Sequence, residues 1–295
     1  MLTPETSLRL HLTKARELWL ADRLDLADAA MRRALRVGFA PGSQYDLQRT
    51  IEAEYGARRA GAMWRLGEEL IVEGAPARWE RHWPAIVREL TRAMTDVTRT
   101  LNVRWGKPVL ITLIPQDDWV EFMHARYGYY AERVETHKVC LPPTAIHPSE
   151  ILRRAARHEI AHAAVHQLAG DGAPRWLDEG MAVTLEGGSP PDEVRRFSAL
   201  VQKGVTMSLE QLSAGFESYD VEIGSPRSHF CYAASGAFVG RLAGIHGLGA
   251  LRELLASIGG GAKVDRAFRS VLGQPLWRAE KEWWKTLTDG PFRKA

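Results

Sequence analysis

Leu18, Leu20, Leu24, Ala27, Met31 and Ala34 recur at helical spacings, and no alternating pattern interrupts the chain between about residues 8 and 63. This stretch predicts an N-terminal helical segment over residues 1–62, a hairpin packed on the rest of the chain and broken at Gly38-Phe39-Ala40-Pro41-Gly42. From Met63 the texture changes. A short strand is expected over Glu68–Glu73, a long amphipathic helix over Ala77–Leu101, and a strand over the apolar run Val109–Ile114. Pro115-Gln116-Asp117-Asp118 begins another helix, and Val134–Leu141 alternates as a half-exposed strand that Pro142-Pro143 ends. Beyond that nearly everything reads as helix, with breaks at Gly187-Gly188-Ser189-Pro190-Pro191 and Gly259-Gly260-Gly261. A few strands followed by many helices predict an α+β fold, with residues 63–295 as the main domain.

Composition narrows the chemistry. With 295 residues, 45% hydrophobic and 25% charged, the chain has the make-up of a globular protein with a well-buried core. A formal net charge of +3 is small for this length and gives no ground for a nucleic-acid partner. No apolar run is long enough to span a membrane, and Met1-Leu2-Thr3-Pro4-Glu5 lacks the basic start of an export signal, so a cytoplasmic protein is expected. Cys140 and Cys231 are the only cysteines, which excludes a disulfide framework and a cysteine-rich metal site. A metal would have to be held by histidines and carboxylates.

His158-Glu159-Ile160-Ala161-His162 offers such a set. Pro148 and Glu150 suit the first turn of a helix and Gly170-Asp171-Gly172 its end, so the motif lies within a helix. There His158 and His162 share one face, with Cβ atoms about 6 Å apart, and Glu159 points partly sideways. A third histidine at 168 after a glycine at 165 is excluded, because those positions hold Leu168 and Val165. A carboxylate from Trp176-Leu177-Asp178-Glu179-Gly180-Met181-Ala182 is the remaining route, with Glu179 the candidate. Asp178 is an alternative ligand, or an acceptor for the outer nitrogen of a metal-bound histidine. Gly180 and Ala182 leave room for the second helix to approach the first. The plain alternative is a buried helix pair whose polar groups satisfy one another.

Three protein ligands leave a fourth position for water, whose pKa falls from about 15.7 toward about 7 on zinc. Glu159 can then take its proton, and Tyr232 or His229 can donate to the developing oxyanion. Peptide-bond hydrolysis is the natural outcome. His166 continues the spacing but reads as a polar residue near the helix end, and Arg153, Arg154 and Arg157 read as a solvated face.

His158-Glu159-x-x-His162 and Trp176-x-x-Glu179-Gly180-x-Ala182, with Tyr232–Val239 and the helices up to Leu287, resemble the gluzincin zinc peptidases, the compact members above all. The resemblance covers roughly residues 63–290. It implies a zincin-like domain with a small mixed sheet, a motif helix and a helical C-terminal lobe. It also implies a zinc ion held by His158, His162 and Glu179, Glu159 as general base, Tyr232 as oxyanion donor, and a peptide or protein substrate. The chain departs from the family where Ala234-Ser235 follow Tyr232 in place of the usual x-Lys-Gly, and where Val183 stands in place of an Asp one turn after the third ligand. Two other classes compete: a metal-containing scaffold that uses residues 1–62 as its contact surface, and a zinc hydrolase of a non-peptide amide. The Val134–Leu141 strand leaves two readings open, an open edge on which an extended peptide could pair or an ordinary internal strand.

Overall fold

The computed structural model describes residues 3–38, 43–74, 79–114, 128–142, 150–217 and 226–289. The chain divides into two compact units, residues 1–91 with 106–155, and residues 92–105 with 156–295. The expected division at 62/63 falls inside the first unit. The helix expected after Pro115, and Pro148 at the start of the motif helix, lie outside the described residues.

The first unit opens with α1 (Pro4–Leu20) and α2 (Leu24–Val37). Thr3 caps α1 by accepting from the Thr6 backbone N–H at 3.2 Å, and Pro4 follows where its missing N–H costs nothing. Ala15, Ala27, Ala30, Met31 and Ala34 bury a seam of small side chains, joined by Ile51 of α3 (Ser43–Ala60). Two strands follow, β1 (Ala62–Leu66) and β2 (Leu70–Gly74). The strand expected at 68–73 is thus the second half of a hairpin. Its first half escaped the sequence reading because a five-residue edge strand with Met63 55% exposed carries little alternation.

Helix α4 spans Trp83–Leu101, later than the expected start at 77, with Pro84 in its first turn. Strands β3 (Val109–Leu113), β4 (Tyr129–Glu132) and β5 (His137–Leu141) complete a sheet in the order β1-β2-β3-β5-β4. Strands β2, β3 and β5 run parallel, and both outer strands are antiparallel to their neighbours. This corrects the expected Val134–Leu141 strand. Val134 is 69% exposed in the turn before β5, and β5 is paired on both sides, so it offers no open edge.

The buried strands carry charge, and the charges are matched. Glu54 on α3 accepts from Lys138 at 2.8 Å, Arg133 at 3.0 Å, the Trp19 indole at 3.0 Å and the Tyr129 hydroxyl at 2.5 Å. Lys138 also meets Asp22 at 3.0 Å, and Arg58 joins Asp22 at 2.7 Å to Glu73 at 2.5 Å. Arg133 stacks over Trp19 with 3.8 Å to the ring centroid. Asp22, Glu54 and Glu73 balance Arg58, Arg133 and Lys138, so the cluster is neutral. Burial opposes ionisation of Glu54, but Lys138 and Arg133 outweigh it and lower its pKa to about 2.

The second unit is helical. Helix α5 (Glu150–Ala169) carries the histidine motif, a 3₁₀ turn over Gly170–Gly172 ends it, and α6 (Arg175–Glu186) follows after Pro174. Helices α7 (Pro191–Gln202), α8 (Leu209–Glu217), α9 (Pro226–Gly259), α10 (Val264–Leu272) and α11 (Leu276–Asp289) complete it. Helix α9 breaks at Gly247, whose φ of 81° is left-handed. Among the described residues no helix is long and apolar enough to cross a membrane.

Glu54→Gln should destabilise the first unit by about 3–5 kcal/mol at neutral pH, because it takes from the buried Arg133 its carboxylate and leaves the buried Lys138 with Asp22 alone. Since the folded-state pKa of Glu54 lies below its ordinary value, its contribution is complete above about pH 4.5 and vanishes as the pH falls toward about 2. Urea unfolding of wild type and variant across this range should therefore converge at the acid end. A constant gap would refute the assignment.

Candidate metal centre

Helical spacing explains how α5 and α6 present the site. His158 and His162 stand one turn apart, with ring centroids 4.9 Å apart and edge-on. On α6, Arg175, Glu179 and Glu186 fall in one stripe at spacings of four and seven.

Glu179 Oε2 lies 3.6 Å from His158 Nε2 and 3.5 Å from His162 Nε2, and it has no hydrogen-bond partner although buried. An unsatisfied buried carboxylate oxygen beside two imidazole nitrogens makes His158, His162 and Glu179 a group that could hold a metal ion. A tetrahedral zinc with ligand distances of about 2.0–2.1 Å holds its ligand atoms about 3.4 Å apart, so the donors fit. The outer nitrogens are fixed as well. His158 Nδ1 donates to Glu186 at 3.1 Å and His162 Nδ1 to Asp178 at 2.6 Å. A carboxylate acceptor forces the proton onto Nδ1 and leaves the Nε2 lone pair facing Glu179.

Asp178 is thus the acceptor for the outer nitrogen of His162, one of the two roles expected of it. Glu186 was not anticipated. It does for His158 what Asp178 does for His162, one turn beyond the Val183 position where an acid was sought. Its sequence signal was its place on the Glu179 stripe.

The pocket polarises these groups. Burial disfavours the imidazolium of His158, yet the nearby carboxylates of Glu179 and Glu186 hold its pKa well above the ordinary value. Burial likewise works against the charge of Glu179, but His162, His158 and Arg175 lower it to about 2. Glu159, 4% exposed, is pushed up by burial against the opposing pull of the two histidines. A proton on the histidines competes with any metal.

Tyr232 of α9 reaches this centre, its ring centroid 6.4 Å from His158 and 5.0 Å from Phe216. The charge of Glu179, then burial, drive its pKa well above the ordinary value, so the phenol keeps its proton and can donate. His229 pairs instead with Glu193 at 3.8 Å, beside a cavity of about 390 Å³ lined by Phe197 and Phe230. His166 bonds Asp171 at 3.2 Å, the polar helix-end role expected of it. Arg157 departs from the expected solvated face: it is only 26% exposed and pairs with Asp96.

A family model described as Peptidase MA superfamily matches residues 144–289. Through these residues the chain belongs to the Peptidase MA superfamily. Members of the superfamily are metal-dependent, typically with zinc, and the matched region contains the whole His158, His162 and Glu179 cluster. None of the curated proteins or solved structures compared with the chain matches it.

Within the Peptidase MA region, a glycine contact holds α6 in place. A Cβ on Gly180 would stand 2.4 Å from Val239 Cγ2 and 2.7 Å from the Ser235 carbonyl, and one on Gly236 would stand 2.4 Å from Val183 Cγ1. The close approach allowed by Gly180 is thus to α9, not to the motif helix as its sequence neighbourhood suggested. Gly180→Ala tests this. Helix propensity alone predicts a gain of roughly 1 kcal/mol, whereas overpacking against α9 predicts a loss of about 1–3 kcal/mol, read by urea denaturation. A stabilised variant would show that the two helices are not in contact there.

Proposed function

We propose that the chain is a zinc-dependent peptidase of the gluzincin type, with His158, His162 and Glu179 holding the ion and Glu159 as general base. The observation that carries this reading is the partnerless Glu179 Oε2 set 3.5 and 3.6 Å from two imidazole nitrogens that are themselves tautomerically fixed. Membership in the Peptidase MA superfamily supports the same chemistry.

Bound zinc would polarise a scissile carbonyl and lower the pKa of a water toward about 7. Glu159 takes that water's proton on a carboxylate oxygen and delivers it to the nitrogen of the departing amine. Tyr232 donates its hydroxyl hydrogen to the carbonyl oxygen as negative charge gathers there. Asp178 and Glu186 hold the ring orientations through both events. An intact Glu159 favours catalysis over a scaffold, and a peptide or protein chain is the substrate.

Purified protein should contain one equivalent of zinc, lost in His162→Ala and in Glu179→Ala and kept in Glu159→Gln. Digestion of a peptide library should fall by about 10²–10⁴-fold in Glu159→Gln. Tyr232→Phe should lower kcat by about 10²–10³-fold at similar KM if its hydroxyl serves the transition state. Wild-type protein without metal, or Glu159→Gln cleaving as wild type does, would sink the proposal. Zinc without peptide cleavage would point to the scaffold or to a non-peptide amide.

A further inference from the structure

Arg175 opens α6 at its first helical position, where the helix dipole disfavours a cation. Its side chain is 45% exposed and so within reach of water. It bridges two acids instead. One guanidinium nitrogen, Nη2, donates to Glu179 Oε1 at 2.7 Å, and the other, Nη1, donates to Asp178 Oδ2 at 2.9 Å. The second oxygen of Asp178 accepts from His162 Nδ1 at 2.6 Å, and the second oxygen of Glu179 faces His162 Nε2 at 3.5 Å. These contacts close a ring: imidazole, Asp178, guanidinium, Glu179, and the far side of the same imidazole.

We propose that Arg175 is a positioning residue that makes Glu179 a one-oxygen metal ligand and, through Asp178, fixes the ring of His162. The inference rests on the zinc reading above and adds to it a residue outside the ligand set. A carboxylate has two equivalent oxygens and can turn both toward a cation unless one is engaged elsewhere. Arg175 engages Oε1 and leaves Oε2 alone to face the imidazoles. The planar fork of an arginine reaches both acids at once, which the point charge of a lysine does not. Charge by itself argues in the opposite direction, because a guanidinium beside a divalent cation repels it. An Arg175 that contributed only charge would therefore weaken metal binding, and its removal would strengthen it.

The full-length chain separates these cases through zinc affinity, measured by competition with a chromophoric chelator, for wild type, Arg175→Lys and Arg175→Met. Positioning predicts that both substitutions loosen zinc by about 10–100-fold, the usual effect of losing an outer hydrogen-bond partner. Cobalt(II)-loaded protein gives a second readout. When Glu179 turns both oxygens to the ion the coordination number rises, and the visible absorption should drop in intensity in both variants. A cobalt spectrum unchanged from wild type overturns the proposal whatever the variants' stability, and so does Arg175→Met binding zinc as tightly as wild type or tighter. Wild-type affinity in Arg175→Lys also overturns it, since a single ammonium would then suffice. Wild-type protein that binds no zinc would remove the metal reading itself, whereas zinc-binding wild type with unaltered variants removes this inference alone.

Discussion

A carboxylate stripped of water must be given charge in return, and at Glu179 that return organises the centre. Its buried side chain is set among His158, His162 and Arg175, and their combined field more than offsets the cost of burial. Each of these partners is itself tied to a second acid or positioned by helical spacing. Helix α6, which carries Glu179 and Arg175, is itself seated closely on α9, because side chains are missing where the two meet. Within that arrangement one oxygen of Glu179 is left unsatisfied, facing the two imidazoles.

The centre was legible in the sequence where helical period governs it. His158 and His162 share a face by arithmetic, and Glu179 follows from the short turn that reverses the chain. Glu186 carried only the weak signal of its place on the Glu179 stripe, because an outer acceptor need only reach a ring nitrogen and several turns can supply one. Arg175 was silent for a similar reason: a charged residue opening a helix reads as a solvated end until its two acceptors are seen. Gly180 was recognised as a point of close approach, but a glycine does not name its neighbour, and the neighbour proved to be α9.

In the fold, long apolar runs such as Val109–Leu113 were plain, and the α+β character followed from the order of strands and helices. Strand β1 was missed because an edge strand is half wet and short. Of the two readings left open for residues 134–141 the internal strand holds, and the sequence did not decide between them because alternation says nothing of which neighbours pair. Charged residues within the sheet, Glu73 and Lys138 among them, speak against fully buried strands until their partners on other elements are seen. The two units share one logic: each tolerates buried ionised groups by giving each acid a cation or a histidine.

That logic has a consequence for assembly of the first unit. Glu54 finds Arg133 79 residues later and Asp22 finds Lys138 116 residues later, so the neutral cluster cannot close until most of that unit has been synthesised. Contacts of such long range carry a loop-closure cost that is met before they give anything back, which slows folding. Until then Asp22 has Arg58 within reach, but Glu54 lacks both of its buried cations. The same cluster that locks the finished unit therefore closes only when its last strands arrive.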